Sequence, residues 1–77
     1  MKIDWGSYIK DLKSAIQNER IWAMGSANRI ESIIHENNAR ELELELGMLL
    51  HGRYAEVVAM RGESAFEHYM VEGEAVL

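Results

Sequence analysis

The chain has 77 residues, 48 % of them hydrophobic, a formal net charge of −5 and neither cysteine nor proline, which describes a single domain (1–77) with a real apolar core and excludes a disordered tail. A domain this small buries only about 60 % of the surface of its unfolded chain, and with no disulfide to compensate, the usual supplement is assembly or a partner. Met1-Lys2-Ile3-Asp4-Trp5 lacks the apolar run of a secretory leader, and no stretch approaches the roughly 18 apolar residues of a membrane span, so a cytoplasmic protein without membrane contact is expected.

In chain order, the first periodic segment carries Trp5, Ile9, Leu12, Ile16, Ala23, Ala27, Ile30 and Ile34 at spacings of three and four. At 100° per residue these fall in one stripe of a helix, and the phase survives Gly25. The pattern favours one helix over about 7–36, with two helices broken at Gly25-Ser26 as the alternative. Tyr8, Ala15 and Trp22, seven apart, widen the apolar face on one side. Asn37-Asn38 reads as the end of this helix and the cap of the next, because Asn tolerates the left-handed closing conformation and also caps.

A second helix is predicted over about 39–61, with Leu42, Leu46, Leu49, Leu50, Val57 and Met60 on its core face. Residues 41–46 alternate Glu and Leu as a strand would. Helix is favoured, because Glu and Leu are good helix formers and Glu is depleted in strands. Gly62 stops this helix. Ser64 and Glu67 then form a capping box for a short third helix over about 64–71 with Phe66, Tyr69 and Met70 inside. The fold class is therefore all-α: a long helical hairpin closed by a short third helix and assembled as an oligomeric bundle.

The second helix is more apolar than a hairpin requires. Leu44, His51, Tyr54 and Val58 form a strip beside its core face, and Gly47 and Gly52 would let another backbone approach. Ile21 lies well off the first helix's stripe, next to Trp22. Ile21, Trp22, Leu44, His51, Tyr54 and Val58 are accordingly the expected partner contacts. Coverage by the first and third helices is the plainer explanation of the same strip.

Charge is uneven. Residues 1–38 are balanced, whereas residues 39–77 set Glu41, Glu43, Glu45, Glu56, Glu63, Glu67, Glu72 and Glu74 against Arg40, Arg53 and Arg61. This opposes direct binding to nucleic-acid phosphates and suits a protein with a basic surface. Glu41, Glu45 and Glu56 share one predicted helical face, an acidic docking strip if it is more than a solvated surface.

Enzymatic signatures are missing. There is no GxSxG, no phosphate-binding glycine loop and no HExxH. Glu31/His35 and His68/Glu72 have i,i+4 spacing that can chelate, but surface or structural histidines explain them more simply, so neither metal nor cofactor is expected. Met24-Gly25-Ser26 imitates the turn of a helix-turn-helix, yet the following helix carries Glu31 and Glu36 and spends its isoleucines inside. The sequence thus points to a non-enzymatic protein–protein interaction module of inhibitor or adaptor type that forms a homo-oligomer. The alternative is an oligomeric bundle holding a small ligand or metal between protomers. Phage accessory proteins that block a host defence or a nucleic-acid enzyme are often of this small, acidic, cysteine-free type, an analogy that no motif turns into a family.

Overall fold

A computed structural model describes residues 2–71. The order is β1 (Lys2–Ile3), α1 (Trp5–Gly25), α2 (Arg29–Leu50), α3 (Tyr54–Arg61), a 3-10 segment (Glu63–Tyr69) and β2 (Met70–Val71). It is mostly helical, with α1 and α2 packed as a long hairpin and α3 as the shorter third helix.

Asp4 caps α1. Its carboxylate accepts from the Ser7 amide at 3.2 Å and from the Ser7 hydroxyl at 2.7 Å, and these bonds, the hydroxyl's foremost, hold its pKa below the ordinary value. Trp5, Leu12, Ile16 and Ala23 are the buried positions of α1, as their spacing requires.

The hairpin turn is not at Asn37-Asn38. Helix α1 stops at Gly25, Ser26 is extended, and Asn28 caps α2 by accepting from the Ile30 amide at 2.8 Å. Ser26 Oγ donates to the Asn28 carbonyl at 3.0 Å, and Ser32 Oγ donates to the Ala23 carbonyl at 2.9 Å, so the turn satisfies a carbonyl that the end of α1 leaves open. Three linking residues force antiparallel neighbours. Asn37 and Asn38 lie inside α2, where each costs only about 0.7 kcal/mol or less against Ala, too little to break a packed helix. The expected 7–36 and 39–61 helices are therefore replaced by 5–25 and 29–50. The alternative break near Gly25-Ser26 is the one found.

The second correction lies at His51-Gly52-Arg53. The Gly52 amide donates to the Leu49 carbonyl at 3.0 Å and the Arg53 amide to the Met48 carbonyl at 2.9 Å. These are the two bonds of a Schellman closure, and Gly52 sits at φ +78°, where glycine alone is unstrained. What the sequence presents as one helix to Arg61 is two, α2 and α3. The predicted third helix at 64–71 is the 3-10 segment followed by β2. That strand pairs antiparallel with β1, Lys2 opposite Val71 and Ile3 opposite Met70, and the Asp4 amide donates to the Tyr69 carbonyl at 2.6 Å. Residues 41–46 are helical, as favoured.

The core gathers at the pole opposite the hairpin turn. Trp5, Leu12, Ile16, Leu49, Val57 and Phe66 form its buried cluster. Trp5, Tyr8, Tyr54, Phe66 and Tyr69 interlock as aromatic rings with neighbouring centroids 4.8–5.7 Å apart. The molecule measures 48 × 20 × 18 Å. Helix α3 and the 3-10 segment, 8 and 7 residues long, are too short to cover a hairpin of two helices each over 30 Å long by their rise. Among the described residues, the turn half of the hairpin is therefore two bare helices with Ile16, Ala23 and Ala39 as the buried apolar side chains between them.

Candidate functional site

The expected contact residues divide between core and surface. Tyr54 packs on Trp5 with ring centroids 4.8 Å apart, and Val58 is half-buried against the same cluster. Both are removed from the strip because the helix that was to align them with Leu44 ends at Leu50. His51 is exposed in the closing turn. Leu44 is 71 % exposed, and Ile21 and Trp22 are 55 % and 54 % exposed. Gly47 receives no close backbone, since a Cβ built on it meets nothing within 4 Å.

The acidic strip is corrected in the same way. Glu56 belongs to α3, where Arg53 holds its carboxylate with two hydrogen bonds and so lowers its pKa. Glu41 is exposed on α2. Glu45 is 1 % exposed and cannot dock on anything: it accepts from the Tyr8 hydroxyl and from Arg61 Nε, the latter at 2.5 Å. This triad joins α1, α2 and α3. A buried carboxylate survives only when paired and hydrogen-bonded, so its role is to fix the three helices relative to one another.

Burial, and then the adjacent Glu45 carboxylate, push the Tyr8 phenol well above its ordinary pKa. Because the folded value is raised, the stability tied to neutral Tyr8 is complete below the unfolded pKa of about 10 and drains away as pH rises past it. The expected result is that Tyr8→Phe loses stability less steeply than the parent chain above pH ~10 in urea titrations. Parallel slopes would detach Tyr8 from the alkaline transition.

Among the described residues, two apolar surfaces stand out as uncovered. One surrounds the hairpin turn: Ile21, Trp22, Gly25, Ser26, Glu31 and His35 line an open cleft of about 350 Å³, with Met24 exposed beside it. The Trp22 ring lies 5.5 Å from the His35 ring, and Glu19 Oε2 fixes His35 Nδ1 at 2.6 Å. The other is the outer ridge of α2, with Ile30, Ile33, Ile34 and Leu44 exposed. It ends in a groove of about 340 Å³ lined by Glu41, Leu44, Glu45, Met48, Met60 and Arg61. The sequence reading buried Ile30 and Ile34 and so missed this ridge. The signal was present: two apolar stripes run through residues 30–48, and only one can face α1.

Among the described residues no three His, Cys, Asp or Glu side chains converge as metal ligands, and no helix is long and apolar enough to cross a membrane. Of the two candidate chelating pairs, Glu31 and His35 both line the turn cleft, while Glu72 lies outside the described residues. No protein-family model, curated protein or solved structure matches this chain.

Proposed function

We propose that the chain is a non-enzymatic protein-binding module of adaptor or inhibitor type, and that it grips its partner with the turn end of the hairpin. The observation that carries this reading is Trp22, a large aromatic more than half exposed on the wall of an open cleft. Leaving an indole in water forgoes the burial that aromatic side chains otherwise supply, and aromatic anchors set in pockets dominate the energy of protein interfaces. Ile21 and Met24 extend the apolar surface around it, while Ser26, Glu31 and His35 supply polar groups at its rim. The excess of exposed carboxylates on the second half of the chain favours a partner whose surface is basic.

A photo-crosslinking amino acid placed at Trp22 is expected to capture one discrete partner in extract of the native host, competed away by excess unmodified chain. The same group at exposed Lys13 serves as control. Equal capture from both positions, or none that competes, would remove the turn end as the contact.

A further inference from the structure

We infer that the outer ridge of α2 is an interface for a second copy of this chain, packed antiparallel about a two-fold axis at Asn37. At 100° per residue, Ile30, Ile33, Ile34, Asn37, Glu41, Leu44 and Met48 share one side of the helix. Most of that side points away from α1, because Ser32, His35, Ala39, Leu42 and Leu46, on the opposite side, are among the buried or half-buried positions, while Met48 at the end of the ridge is half-buried against the core. Ile30 is 68 % exposed and Leu44 71 %, a pair that a lone chain leaves in water. This surface is separate from the turn cleft and does not depend on the function proposed there.

Self-complementarity selects the occupant. Ile30 and Leu44 stand seven residues to either side of Asn37. An antiparallel copy centred on Asn37 therefore brings each Ile30 against the other chain's Leu44, twice by symmetry. Each Ile30 then fills the other copy's groove between Leu44, Met48 and Met60, a knob entering a hole. Asn37 meets its own image, and an amide carries both donors and acceptor. A polar residue at the centre of an apolar seam is a known means of fixing register, while Glu41, the other polar residue of this side, falls level with Ile33 of the second copy.

The flanking charges give the pairing a handle. Glu36 and Arg40 are one turn apart on one flank of the ridge, both exposed, and neither is in an ion pair among the described residues. A two-fold axis perpendicular to the helices sets each flank against its own copy, so Glu36 of each chain stands about 3 Å by helix rise from the level of Arg40 of the other and equally far from the level of its Glu36. A parallel pair would instead press each Glu41 toward its counterpart. The ridge from Ile30 to Met48 is about 27 Å long by helix rise on an edge 18 Å thick. Its projection of roughly 500 Å², larger as accessible surface, compares with the roughly 800 Å² per partner in a stable dimer.

The test is mass in solution with register probes. Light scattering at about 100 µM should give twice the 8.8 kDa chain mass. Ile30→Glu and Leu44→Glu should each weaken the dimer roughly thirtyfold or more while leaving the helical circular dichroism of the monomer intact, because both side chains are exposed. Glu36→Arg should weaken it, and adding Arg40→Glu to the same chain should restore it. The chain has no cysteine, so oxidising a mixture of Ile30→Cys and Leu44→Cys chains should give the mixed disulfide in preference to either homodimer. A monomer mass at that concentration would overturn the interface, as would a dimer indifferent to both glutamate substitutions. Predominant self-crosslinking of Ile30→Cys would overturn the antiparallel register.

Discussion

Phe66→Ala is expected to remove about 3–5 kcal/mol of the domain's stability, a large share of what it has. Phe66 has no exposed surface and its ring sits 4.9 Å from Tyr8 and 5.3 Å from Trp5. Truncating a buried Phe costs about 3–5 kcal/mol through lost transfer energy and the cavity left behind. A chain of 77 residues has a total stability of roughly 4–12 kcal/mol at the usual per-residue values. The position adds to the effect, because Phe66 is the one fully buried side chain in the 3-10 segment, a conformation with poor internal hydrogen-bond geometry. Without that anchor the segment has little to hold it, and the β1–β2 ladder beyond it loses its tether. Urea denaturation of parent and variant measures the change. A loss under about 1 kcal/mol would show that the aromatic cluster closes over the gap and that Phe66 does not hold this pole together.

Arg61→Ala carries the second large effect. It strips Glu45 of its cation while the carboxylate stays buried, and breaking such a pair costs about 3–5 kcal/mol. The lower end applies, since the Arg61 side chain is 40 % exposed and water can enter where it stood. Glu45→Gln should cost less: the amide oxygen still accepts from Tyr8, and the freed guanidinium is already near solvent. The combination Glu45→Leu with Arg61→Met should recover most of the loss, because an apolar pair of similar volume often replaces a buried ion pair at little cost. Thermal melts of the four chains decide this. If Arg61→Ala melts with the parent, the triad is not what joins α3 to the hairpin.

Helix content and the inner stripe were legible because they rest on local periodicity: Trp5, Leu12, Ile16 and Leu49 are buried where their spacing put them. The turns were not, for reasons visible in particular residues. Gly25-Ser26 and Asn37-Asn38 are both chemically able to end a helix, and apolar phase continued across the first. That continuity misleads, since a hairpin needs a stripe on each arm and any surplus stripe simply faces out, as Ile30 and Ile34 do. Gly52 was legible as a place where another backbone could approach, but its left-handed φ comes from a Schellman closure that only the fold displays. Glu45 shows the hardest limit. Nothing in an alternating Glu-Leu run distinguishes the one carboxylate that finds an arginine sixteen residues on from its solvated neighbours. Ile21, off the stripe and hard to bury, was legible as surface, whereas Trp22 read as widening the apolar face and is 54 % exposed.

The pairing of Lys2 with Val71 has a bearing on how this fold can be joined to other sequences. The chain enters and leaves the domain side by side, about one interstrand spacing of 4.8 Å apart, at the pole that holds the aromatic rings. The turn cleft lies at the far end of a 48 Å molecule. Anything joined next to Lys2 or Val71 would thus sit at the opposite pole from the turn cleft, the arrangement in which a domain can be inserted into a loop of a host protein.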